Sequence, residues 1–143
     1  MNLRITSAPA ISTSADTILR GLGAALLIGV AQIHFLDVFD KFDENVAQGW
    51  MFATLIFGCL VATAVLVHQS SALVWVLAAV CGLAPLAGYI ISRSVGLAGA
   101  TDDIGNWTEP LGLASLSMES SLVLVSAYAL IVRRQLTGST RQS

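Results

Sequence analysis

The chain is short of charge. Only 11% of its 143 residues are Asp, Glu, Lys or Arg, where a soluble domain carries about 25%. With 55% hydrophobic residues and a mean hydropathy of +0.78, that shortage excludes an ordinary water-soluble globule. Disorder and a collagen-like repeat are excluded as well, since neither tolerates so much apolar content. Basic residues are too few for a nucleic-acid partner: the seven Lys and Arg stand against nine Asp and Glu and form no stripe. Both cysteines, Cys59 and Cys81, lie inside apolar runs, so no disulfide framework is expected and each reads as a small packing residue. Catalytic signatures are missing too. No GxSxG, CxxC, HExxH or phosphate-cradling glycine loop is found, which leans against an enzyme.

What the sequence does contain is long apolar runs. A spanning helix needs about 20 mostly apolar residues, and four segments qualify, over residues 17–38, 49–68, 72–92 and 110–132. Lipid leaves no partner for free backbone groups, and four strands could not close a barrel, so the segments are expected to be helices. The first is too long for a signal-peptide core, and Phe35-Leu36-Asp37 is no small-residue cleavage site, so it is read as retained. The expected fold is all-α: an integral membrane four-helix bundle, up-down-up-down. Residues 1–16 and 135–143 are expected to be loose.

Positive charge orients the bundle. Arg4 and Arg20 precede the apolar run Gly21 to Leu36 at the centre of the first segment, and Arg133, Arg134 and Arg141 follow the fourth, whereas only Lys41 and Arg93 sit in the connections at the other side. Both termini are therefore expected in the cytoplasm, in the inner membrane. The outer connections then collect Asp37, Asp40, Asp43, Glu44, Asp102, Asp103 and Glu109, an acidic face. Trp50, Trp107 and Tyr89 fall near the outer interface and Trp75 and Tyr128 near the inner one. Ala25-xxx-Gly29, Gly58-xxx-Ala62 and Ala78-xxx-Gly82 are small-residue pairs of the kind that let helices approach. Pro85 should kink the third helix or loosen its ladder near Cys81.

Ionisable residues are costly in lipid, which makes Glu119 the most informative position. It lies about 12 Å below the outer end of the fourth segment at ~1.5 Å per residue. Ser115, four residues before it, and Ser126, seven after, share its helical face, which should point into the bundle. Gln32, His34 and Arg93 fall at a similar depth. One reading is a polar or metal-binding pocket near the acidic face: His34 and Glu119, with Asp37, Asp102, Asp103 or Glu109, offer mixed nitrogen and oxygen ligands suited to Zn, Cu, Fe or Mn. Gln32, Arg93, Glu109 and Ser115 would complete its polar wall. The plainer reading is structural, with Glu119 paired to Arg93 or carrying its proton, and His34 bonded to Gln32 or a serine. A haem held by both histidines is excluded, because His34 and His68 lie at opposite ends. A His34/Met51 or His34/Met118 pair remains possible for haem iron.

The outer stretch 92–110 has the composition of a compact cap. Asp102-Asp103 could ligate a cation or cap a short helix beginning near Ile104. Asn106-Trp107-Thr108 fits a glycosylation sequon, and Pro110 suits the first turn of the fourth helix.

Several of these residues fall in a recognisable order. Ile33-His34, then Ser92-Arg93-Ser94-Val95-Gly96-Leu97, then Glu109-Pro110-Leu111-Gly112 and Glu119 resemble a group of small four-helix bacterial membrane proteins. Here Ser94 stands for that group's Thr and Ala98 for its Pro, and Asp40, Asp43 and Glu44 occupy the loop where many members carry a second His. The resemblance implies the same membrane bundle and marks His34, Arg93, Glu109 and Glu119; it names no activity. The expected function is a non-enzymatic accessory or partner-binding membrane subunit, bound to another membrane protein or to its own copies. The alternatives are a small oligomeric proton-coupled transporter or a haem- or copper-binding redox subunit.

Overall fold

The computed structural model describes residues 13–97 and 101–139. They form four helices: α1 (Thr13–Glu44), α2 (Val46–His68), α3 (Ala72–Ser94) and α4 (Pro110–Ser139). Each is long and apolar enough to cross a bilayer, which marks a multi-pass membrane protein. α1 packs mainly on α2 and also on α4, and α3 packs on α4 and, less, on α2.

All four helices run further than the sequence suggested, α1 and α4 the most. α1 has 32 residues, about 48 Å at ~1.5 Å per residue, and it carries Asp37, Asp40, Asp43 and Glu44 in its last turns. The acidic stretch expected to be a connection is therefore helical. Charges are tolerated there because Lys41 pairs with Glu44 at 2.6 Å, and Phe42 turns inward onto Gly49 and the edge of Trp50. A β-carbon on Gly49 would lie 2.3 Å from the Phe42 ring, so only glycine fits under it. Asn45 alone joins α1 to α2, its extended backbone breaking the helix while its side chain accepts from the Ala47 and Gln48 amides. Of the ends expected to be loose, 13–16 form the first turn of α1 and 135–139 continue α4; residues 1–12 and 140–143 lie outside the described residues.

Ser71 caps α3 by accepting from the Val74 amide. Pro85 sits inside α3 without ending it; lacking an N–H, it leaves the Cys81 carbonyl without its usual helical donor. Beyond α3 the chain turns at Gly96, whose φ of +81° suits glycine. No short helix follows Ile104: residues 101–108 are turns, closed by Ile104 N–H to Thr101 O and Asn106 N–H to Asp103 O.

The core is made of small and branched side chains with one large ring. Trp75, expected at an interface, is wholly buried; its ring covers Gly23 of α1 and its Nε1 donates to Ser70 at 3.0 Å. At Gly82 the backbones of α3 and α4 come close: a β-carbon there would meet the Glu119 carbonyl oxygen at 2.9 Å. That gives the Ala78-xxx-Gly82 pair a physical role. Cys59 and Cys81 are buried and free. Large apolar side chains cover the outside instead, with Phe57 69%, Leu73 78% and Leu124 70% exposed. This outward apolar surface suits lipid.

At the end holding the start of α1, arginines tie the helices together. Arg20 donates to the Leu66 and Val67 carbonyls, and Arg133 reaches Asp16 at 2.7 Å and also Ser70. The cavity lies towards the opposite end.

Candidate functional site

The inward face of α1 is set by Leu27, Val30, Ala31, His34 and Val38, all buried. His34 thus enters the interior from α1. On α4, Ser115, Glu119, Leu122, Ser126 and Ala129 form the matching buried face. The two helices bring His34 Nε2 to 3.7 Å from Glu119 Oε1, with Glu119 only 1% exposed.

The hydrogen bonds around this pair assign donors and acceptors. A carbonyl oxygen can only accept, so the 2.9 Å contact between His34 Nδ1 and Val30 O makes Nδ1 the donor. Nε2 is left facing the carboxylate at a distance too long for a hydrogen bond. The Ser115 hydroxyl donates to Glu119 Oε1 at 2.5 Å. Glu119 Oε2 is buried and meets no hydrogen-bonding atom among the described residues. Phe52 of α2 stands beside the imidazole, its ring centre 4.9 Å away.

This pair borders a cavity of about 190 Å³. Apolar wall comes from Met51, Phe52, Leu55, Pro85 and Leu111, and Gly88 leaves open space on the α3 side. Charged groups ring it: Asp37 and Lys41 from α1, Arg93 from α3, and Asp103 and Glu109 from the stretch before α4. Arg93 holds that stretch in place. It is 7% exposed and bridges to Asp103 at 2.7 Å and Glu109 at 2.5 Å. It also donates to Asn106 O at 2.9 Å and Ser92 Oγ at 3.1 Å, and its guanidinium lies 4.8 Å over the Tyr89 ring. The Tyr89 hydroxyl donates to the Trp107 carbonyl at 3.0 Å.

Most of the residues singled out in the sequence meet here. His34, Asp37, Arg93, Asp103, Glu109, Ser115 and Glu119 all line the cavity. Two do not. Gln32 is exposed on α1, because the helical turn that carries Ala31 and His34 inward carries position 32 outward. Asp102 is exposed, since the turn at 101–104 gives only Asp103 to Arg93. Arg93 pairs with these loop acids and not with Glu119, and His34 bonds to its own helix and not to Gln32. Among the described residues no three His, Cys, Asp or Glu side chains are grouped closely enough to hold a metal ion. Met118 lies over Gly29 and is absent from the cavity wall, whereas Met51 belongs to it.

Sequence reasoning passed over Gln48, and it read Lys41 and Tyr89 only as a loop charge and an interface ring. Gln48 and Gly49 are buried in the first turn of α2 because that turn is pressed against the extension of α1. The polar Gln48 beside Gly49 was the available signal. No protein-family model, curated protein or solved structure matches the chain.

Proposed function

We propose that this membrane protein is a non-enzymatic accessory protein that holds a small ligand in the cavity bordered by His34 and Glu119. The observation that carries the reading is Glu119 Oε2, a buried acceptor on a cavity-lining residue with no partner among the described residues. A buried acceptor left unmade costs about 1–3 kcal/mol, which a bound donor recovers. Rigid scaffolding supports the same reading. Arg93 fixes the stretch bordering the cavity, so the site is formed before a ligand arrives.

The orientation proposed with it is up-down-up-down, with both termini on the cytoplasmic side of the inner membrane. Its support is that Arg20 and Arg133 share one end, while the acidic groups Asp37, Asp103 and Glu109 gather around the cavity towards the other. A second membrane protein or another copy of the chain would receive the ligand or read its presence.

Native mass spectrometry of the protein released from its own membranes tests the reading. Wild type should carry a small molecule that Gly88→Leu lacks, because position 88 borders the cavity and has open space for a side chain. Identical masses of adducts, or none in either protein, would remove it.

A further inference from the structure

The chemistry of the cavity restricts what it can hold. His34 and Glu119 line its deep end: Glu119 Oε2 is a buried acceptor without a partner among the described residues, and His34 Nε2 in a neutral ring is a lone pair because Nδ1 is committed to Val30. Ser115 supplies one hydroxyl donor, already spent on Glu119 Oε1. The cations bordering the cavity are engaged elsewhere, Arg93 by Asp103 and Glu109, Lys41 by Glu44. Acids on the wall outnumber bases, with Asp37, Asp103, Glu109 and Glu119 against Lys41 and Arg93. An anion would therefore meet carboxylate without a free counter-charge. A neutral alkyl group would leave Glu119 unpaired.

A bare metal ion is disfavoured by geometry, since no third ligand of the right type stands with His34 and Glu119 among the described residues. A larger cation avoids that limit. An ammonium group spreads its N–H donors over acceptors several ångströms apart and is attached to an apolar body. The wall supplies the surface for that body, and Phe52, beside His34, adds an aromatic ring to it. In size, an apolar cavity of ~150 Å³ binds benzene, and this one is about 190 Å³, room for one ring or short chain with its amine.

We propose that the cavity binds a small organic amine as its ammonium ion, with the N–H groups directed at Glu119 Oε2 and His34 Nε2 and the hydrocarbon against Met51, Phe52 and Leu55. This rests on the ligand-pocket reading above and names the ligand class for it. The acidic surround would raise the local concentration of such cations.

The test is thermal unfolding and calorimetric titration of the full chain in detergent micelles with benzylamine, benzyl alcohol and benzoate. Wild type should be stabilised saturably by benzylamine and not by the other two. Glu119→Gln, which keeps the shape and removes the charge, should weaken the amine at least about tenfold, the scale of a charge-assisted hydrogen bond. Gly88→Leu should abolish binding. Micelle partitioning cancels between the three proteins, and between the three ligands it is removed by titrating each into empty micelles and using its free concentration. Equal binding of benzyl alcohol and benzylamine by wild type, lost in Gly88→Leu, would overturn the ammonium assignment and leave the pocket standing. Preference for benzoate would overturn it likewise. Saturable binding of none of the three would overturn both. Because the ligand comparison in wild type decides the class, the proposal does not depend on Glu119→Gln folding.

Discussion

Gly82 offers a sharp test, because one substitution there sets two opposing effects against each other. Replacing a helical glycine by alanine normally stabilises by about 0.5–1 kcal/mol through backbone entropy. At Gly82 the new methyl would stand 2.9 Å from the Glu119 carbonyl oxygen and 2.9 Å from Val123 Cγ2. The first of these is backbone, so it cannot swing aside, and α3 and α4 must separate by several tenths of an ångström. Overpacking of that kind costs about 1–3 kcal/mol. The sum is a net loss of up to about 2 kcal/mol. Gly21 is the control, with nothing within 4 Å of an added β-carbon. Gly21→Ala should raise the unfolding midpoint in detergent, and Gly82→Ala should lower it. Since the strain falls on the backbone of Glu119, Gly82→Ala should also weaken ligand binding. Equal stabilisation by the two substitutions would show that α3 and α4 do not approach as closely as described.

Further expectations concern Arg93 and metals. Arg93→Ala removes both bridges to the stretch before α4; with Asp103 and Glu109 part-exposed, the cost should fall between the surface and buried limits, about 1–3 kcal/mol. Hydrogen exchange at the Gly105 and Asn106 amides should accelerate selectively, and unchanged exchange would contradict the role given to Arg93. Plasma mass spectrometry of purified protein should find no stoichiometric transition metal; one metal per chain, lost in both His34→Ala and Glu119→Ala, would replace the ammonium reading with a metal site.

The parts of this fold that were legible in the sequence are those set by period and by hydropathy. Four apolar runs give four helices, and the spacing of Ser115, Glu119 and Ser126 gives a buried face that the structure places inward. The same period separates His34 from Gln32, since residue 32 falls outside the stripe of Leu27, Val30, Ala31 and His34. Charge was the misleading signal. Asp37 to Glu44 has the composition of a connection, yet a helix continues through it because Asn45 and Gly49 postpone the turn and Phe42 packs beneath it. The partners of Arg93 were hidden for another reason. They come from a segment of turns, 10 residues on at Asp103 and 16 on at Glu109, whose path depends on backbone bonds such as Gly105 N–H to Arg93 O and leaves no periodic trace.

The most direct measurement follows the ring nitrogens of histidine. The chain has two histidines, and His34 borders the cavity while His68 closes α2. In nitrogen-15-labelled protein titrated with benzylamine, the His34 Nε2 resonance should move saturably and the His68 signals should stay, with the His34 response weakened in Glu119→Gln. A His34 signal that stays still at amine concentrations that stabilise the protein would place the ligand elsewhere and contradict the site.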